Sequence, residues 1–154
     1  GLLRHEGVEL QVWRLFPERG GFGHGIDVSW LREKGFGGER RIQALGAALS
    51  ALQAHGAELH VVSFADRELV VRALAVLGAL HFFCDRIVGW QELGAVAWSK
   101  GAYIQELMES RSWSREEVLF VDDQEKNVIS ARGHCLTHKV RACGLSIDEL
   151  NSLA

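Results

Sequence analysis

From residue 39 onward the apolar positions fall into two alternating rhythms. Ile42, Leu45, Leu49 and Leu52 recur at helical spacing and the run meets Gly56, so an amphipathic helix with a glycine stop is expected over 39–55. The next segment, ELHVVSF at 58–64, is short and apolar and is expected to be a strand. Leu69, Val70, Ala73, Leu74 and Leu77 return to helical spacing over 66–77, with Ala65-Asp66 as the turn into the helix and Gly78 as its stop. A short strand at 86–89 follows, then a helix at 98–111 on Ile104, Leu107 and Met108, then the apolar strand EVLFVD at 117–122. A short helix at 124–132, a strand at 136–140 and a helix at 146–153 complete the series, the last opened by Ser146 and Glu149 in capping-box spacing.

Mostly apolar strands separated by helices specify the α/β class, with a mostly parallel sheet covered on both faces in a Rossmann-like three-layer α/β/α arrangement. In such sheets ligands bind beyond the carboxyl ends of the strands. The positions to inspect are therefore 63–66, the loop near Gly89, and 122–127. The first 36 residues follow no sustained period. Glycine clusters at 19–25 (RGGFGHG) and 35–38 (GFGG) mark loops, while VELQVWRLF at 8–16 suits either a strand or the start of a helix. The domain reading is a loop-rich lead-in or partial cap insertion over 1–36, followed by a core domain over 37–154.

Composition narrows the function classes. A chain of 154 residues, 47% hydrophobic and 24% charged, with a single proline, has the profile of one folded domain rather than of a disordered or collagenous segment. A net charge of -3 provides no field to collect nucleic acid or an anionic membrane, so neither is expected as a partner. Cys84, Cys135 and Cys143 are odd in number and form no Cys-x-x-Cys pair, which points to a reducing, cytoplasmic setting rather than a disulfide framework or structural zinc. The apolar runs fall short of the ~20 residues that cross a bilayer. Oligomeric state leaves no mark in the sequence.

Asp122 and Asp123 end an apolar strand, and Asn127 follows four residues after the pair. Adjacent carboxylates repel and need a cation or a shared proton, and hard oxygen ligands of this kind suit Mg2+. The plainer alternative is a helix N-terminus, where an aspartate caps the first turn and favours the dipole. Lys100, in Trp98-Ser-Lys-Gly-Ala, opens a helix, where a cation gains nothing from that dipole. It is either an ordinary solvated lysine or a point charge for a phosphoryl oxygen. Ser63 closes the strand before it and offers a hydroxyl to the same group.

In chain order, Val61-Val-Ser63, then Ser99-Lys-Gly101, then Leu119-Phe-Val-Asp-Asp-Gln-Glu-Lys-Asn127 resembles motifs II, III and IV of the haloacid dehalogenase superfamily of phosphohydrolases, over roughly residues 36–150. The strand ending in two aspartates, with Asn five positions after the first, is the most specific of the three. The resemblance implies a Mg2+-dependent phosphoester hydrolase, with Ser63 and Lys100 as the phosphate-binding catalytic-site residues. It further implies Asp122 and Asp123 as metal ligands, Asn127 in support, and a phosphorylated small molecule or phosphoprotein as substrate.

Members of that superfamily carry Asp-x-Asp after a first strand, the first aspartate attacking phosphorus and the second serving as general acid and base. This chain contains no Asp-x-Asp. Three readings follow. The nucleophile strand precedes Gly1, leaving the domain incomplete at its N-terminus and the sheet lacking its first strand. Alternatively, Val8-Glu-Leu-Gln-Val12 takes that place with Glu9 and Gln11 for the two aspartates, and the chain is a catalytically inactive phosphate-binding or protein-interaction module, since Gln11 cannot exchange a proton. In the third, Asp27 is a displaced nucleophile. A receiver-like domain also uses an acidic pair and a lysine, but in the reverse order. His134, Cys135 and His138 run from a loop into a strand and do not make a metal set. The five tryptophans are too scattered for a base-stacking platform; Trp90 and Trp98 flank the loop ahead of Lys100, where either could shape an entrance, although core packing or a hinge contact is the expectation for both.

Overall fold

The computed structural model describes residues 5–8 and 27–154. Five parallel strands form one sheet in the order β3-β2-β1-β4-β5: β1 His5–Val8, β2 Glu58–Val62, β3 Ile87–Val88, β4 Val118–Asp122 and β5 Leu136–Lys139. The helices are α1 Val28–Trp30, which runs on into a wide turn at Leu31–Gly35, then α2 Glu39–Ala54, α3 Arg67–Val76 and α4 Leu80–Phe83. They continue as α5 Trp90–Leu93, α6 Lys100–Arg111, α7 Glu125–Ala131 and α8 Ile147–Asn151. The expected α/β architecture with a parallel sheet is therefore present. Its boundaries lie within about two residues of those read from periodicity, apart from β1 and the short α1, α4 and α5, all too brief to show a period.

Alternation along β2 divides the core. Leu59 and Val61 join a large apolar cluster with Ile42, Leu45 and Leu49 of α2, Val70 and Leu74 of α3, and Leu150 of α8. His60 points the other way and meets the Trp113 ring at 6.0 Å, edge-on, and Trp113 packs on a second cluster of Ile104 and Met108 from α6 with Val118 and Phe120 from β4. Side chains two apart share a face of a strand, so the two clusters lie on opposite faces of the sheet and the fold has three layers.

The N-terminal stretch contributes more than a lead-in. His5–Val8 is the central strand, with Val8 in register with Val121 of β4. Leu31 and Phe36 are buried in the larger cluster. The strand or helix expected at 8–16 lies, beyond Val8, outside the described residues, as do the glycine cluster at 19–25 and both Glu9 and Gln11. The strand order reverses at β1, with β2 on one side and β4 on the other, which is where an open α/β sheet has its ligand crevice.

Candidate functional site

Strand parity decides where the first aspartate points. Val118 and Phe120 of β4 face the α6 layer, and Asp122, two positions on, shares their side at the carboxyl end of the strand. Lys100 is the first residue of α6, whose start is fixed by Ser99: its hydroxyl accepts from the Ala102 amide at 3.2 Å. Gly101 then brings α6 close to α7, because a Cβ at this position would overlap the Ser130 carbonyl. The lysine is thus aimed at the end of β4, where its Nζ lies 3.0 Å from Asp122 Oδ2. Neither side chain has any exposure to solvent. The plain reading of Lys100 as a solvated surface lysine is ruled out.

Asn127, buried in α7, donates its Nδ2 to both oxygens of Asp122 at 3.1 Å, and the Gln124 amide donates to Oδ1 at 2.7 Å. Asp122 is therefore a hub held from α6, α7 and the intervening turn. The N-cap of α7 is Gln124, so neither aspartate serves as the helix cap that their position allows. Asp123 is also buried. Its Oδ2 accepts from Gln124 Nε2 at 2.7 Å, whereas its Oδ1 is enclosed with no hydrogen-bond partner among the described residues. A buried polar atom left in this way is normally met by a water, an ion or a ligand atom.

Ser63, wholly buried, follows β2 at the same end of the sheet. Its amide donates to the Val88 carbonyl at 2.9 Å, and its Oγ accepts from the Ala65 amide at 3.1 Å, which fixes the turn and leaves the hydroxyl proton to donate. The next residue, Phe64, links it to the cluster: Lys100 Nζ stands 4.8 Å from the centre of its ring. Ser63, Lys100, Asp122, Asp123 and Asn127 thus share one end of the sheet, with direct contacts joining Lys100, Asp122 and Asn127.

Two features escape sequence reading. Lys126 is exposed, and its Nζ lies 5.6 Å from the Phe64 ring centre. The signal was available, since Lys126 stands in the first turn of α7, as ill suited to a cation as the position of Lys100. The second is aromatic. Trp90 and Trp98 stack with centroids 4.9 Å apart and planes 25° from parallel, and Trp90 meets Phe64 edge-on at 6.3 Å. Each tryptophan is 47% exposed, which corrects the expectation of core packing for the pair. Gly89 sets Trp90 in place: a Cβ there would overlap the Arg67 backbone, and the Trp90 amide donates to the Ala65 carbonyl at 2.9 Å. Trp98 and Ala97 both adopt left-handed backbone, φ 55° and 53°, which costs a non-glycine residue of order 1 kcal/mol each.

Asp27, exposed, caps α1 through the Trp30 amide at 2.9 Å and takes no part in the cluster. Cys135 is buried in the smaller core cluster, where burial pushes its thiol up to about 11. Among the described residues no group of three or more His, Cys, Asp or Glu stands together as a metal set, and no helix is long and apolar enough to cross a membrane.

The comparisons with known proteins agree with this fold. The model of the family described as haloacid dehalogenase-like hydrolase matches residues 40–137, more than half of the chain. No curated protein matches significantly. Among solved structures, a protein described as a predicted phosphoglycolate phosphatase from Haemophilus somnus 129PT superposes with a TM-score of 0.55 at 22% identity, covering 70% of this chain and 48% of its own. A predicted phosphatase from Clostridium acetobutylicum gives 0.54 at 25% identity, covering 81% and 57%. A haloacid dehalogenase-like family hydrolase from Streptococcus pneumoniae gives 0.51 at 18%, covering 81% and 58%. The chain spans about half the length of these solved relatives. With the family model covering the strands and helices that build the buried cluster, this chain belongs to the haloacid dehalogenase-like hydrolases.

Proposed function

We propose that this chain supplies the phosphate- and Mg2+-binding site of a phosphomonoester hydrolase. The observation that carries the reading is the buried cluster at the end of β4, in which Lys100 and Asn127 hold Asp122 while one enclosed oxygen of the neighbouring Asp123 has no partner among the described residues. Among the described residues two buried acids, Asp122 and Asp123, stand with one buried base, Lys100, and such acids favour an added cation.

The donor chemistry fits Mg2+. The ion is commonly held by one or two carboxylates together with water and substrate phosphate, so Asp122 and Asp123 suffice on the protein side. When bound, it supplies Lewis-acid stabilisation of the charge on the phosphoryl oxygens. The protein's own groups do the rest. Lys100 donates to a phosphoryl oxygen as a point charge, fixed in place by Asp122, and the Ser63 hydroxyl donates to another. Because both are buried, their hydrogen bonds act in a low dielectric and need little reorganisation. Water adds across the P–O ester bond overall, releasing the alcohol and inorganic phosphate. The test is Mg2+-dependent phosphate release by the full protein from a panel of phosphomonoesters. Ser63→Ala and Asp123→Asn are expected to lower kcat/KM about 100-fold or more, in the range seen when one electrostatic donor is lost.

A second reading has its own observation. β1 lies directly beside β4, and the sequence leaving β1 continues through Glu9 and Gln11 with no Asp-x-Asp. On this reading the site binds phosphate without turnover, as a binding or interaction module. Vanadate binding without hydrolysis of any ester selects it, hydrolysis selects the first reading, and the absence of both removes the two together.

A further inference from the structure

The aromatic wall beside the cluster has no part in holding phosphate or metal, and its placement is costly to explain by packing alone. Phe64 carries the Lys100 ammonium over its face, Trp90 meets Phe64, and Trp98 stacks on Trp90, so three rings run without interruption from the buried lysine to the surface. The inner ring is tied to the candidate phosphate ligand, and the outer two are half-exposed. Trp98 is held there in left-handed backbone, secured by its amide donating to the Leu93 carbonyl at 2.8 Å, although a core contact would not need a large side chain in that conformation. Gly94 lies against its indole, and a Cβ on Gly94 would stand 3.7 Å from Cζ2, in ordinary contact with the ring.

We propose that Phe64, Trp90 and Trp98 form a stacking platform for the leaving group, and that the substrates best suited to this site are phosphomonoesters of planar aromatic alcohols. The proposal rests on the phosphate site described above. A phosphoryl group at Lys100 and Ser63 has its ester oxygen directed away from the buried cluster. Among the described residues the surface it then meets is formed by these three flat rings, with Asp66 and Gln91, bonded to each other, at the edge beside Trp90. Exposed Lys126 beside Phe64 adds a cation at the mouth, in keeping with an anionic substrate whose remainder is apolar. Stacking on aromatic side chains discriminates flat from acyclic groups while remaining tolerant of the ring's identity. Trp90 and Trp98 act here as specificity residues.

Calorimetric titration of the full protein with phenylphosphonate and methylphosphonate, which share the anionic head and differ in the flat group, tests it. Phenylphosphonate is expected to bind about tenfold tighter or more, the range that a single stacking contact gives. Trp98→Ala and Trp90→Ala are each expected to erase that preference while leaving methylphosphonate affinity within about twofold, with circular dichroism confirming that the variants fold. Equal affinity for the two ligands in wild-type protein overturns the platform and leaves the phosphate site standing. Should that equality come with self-association that Trp98→Ala abolishes, the pair is an interface between copies and the proposal is equally overturned. Failure of methylphosphonate to bind at all, with Lys100→Ala without effect on phenylphosphonate, removes the phosphate reading and this proposal with it.

Discussion

Lys100 Nζ lies 3.0 Å from Asp122 Oδ2, and both side chains are sealed from solvent between the N-terminus of α6 and the carboxyl end of β4. Such a pair does little net work for folding, because each ion loses its hydration, but removing one partner leaves the other charged and buried. Evolution toward stability alone would favour an apolar pair here.

Lys100→Met is therefore expected to destabilise the protein by roughly 3–5 kcal/mol, while Lys100→Met combined with Asp122→Asn costs less than the sum of the two single changes. Urea denaturation of the four proteins checks this. Additive losses would show that the two groups are not coupled.

Gly101 sits where α6 and α7 touch, and a methyl group there would meet the Ser130 backbone, which cannot swing aside as a side-chain tip does. Gly101→Ala is expected to cost roughly 1–3 kcal/mol through overpacking. It is also expected to weaken phosphate binding, because Lys100 is anchored on the displaced helix end. Gly46→Ala, with open space at its Cβ in the middle of α2, is the control and is expected to be neutral or stabilising by up to about 1 kcal/mol. Equal stabilities for the two variants would show that the helix contact is not tight.

These contacts show which parts of the molecule were legible. The alternating periods set out α2, β2, α3, α6, β4, α7, β5 and α8, because each buries a face whose spacing is written in the chain. The Asp122, Asp123 and Asn127 pattern located the cluster, since β4 parity and one helical turn carry all three to one place. Residues 5–8 were not legible as a strand: HEGV has neither alternation nor β-branched density, and its place in the sheet comes from pairing with β2 and β4. Nor was the Trp90–Trp98 stack, which depends on left-handed backbone at Trp98 that a sequence without glycine there gives no reason to expect. Lys126 was legible by the helix-dipole argument applied to Lys100, since it too stands in the first turn of a helix.

On the α6 side of β2, His60 is largely buried, hydrogen-bonded to Glu58 at 2.8 Å, with Arg86 and Arg111 nearby. Burial holds its imidazole below the ordinary value of 6.5, outweighing the upward pull of Glu58, while the two arginines push the same way as burial. The folded state therefore binds fewer protons than the unfolded one as pH falls through that range. The neutral histidine's contribution is full above 6.5 and is lost progressively below it, until the folded pKa is passed. Wild-type stability is expected to decline from about pH 7 toward 5, and His60→Asn to flatten that part of the profile. Parallel profiles for the two proteins, measured by urea denaturation across pH, would assign the decline to other groups.

The proposed metal site at the end of β4 rests on the Asp123 oxygen that has no partner among the described residues. Calorimetric titration of Mg2+ into the full protein and into Asp123→Asn tests it most directly, since the amide keeps the shape and the Gln124 neighbour while removing the charge. Binding by the wild type is expected, with an affinity lower by about tenfold or more in the variant, because an ionic ligand is replaced by a neutral one. Identical affinity in the two proteins, or no binding by the wild type with inorganic phosphate present, would contradict it.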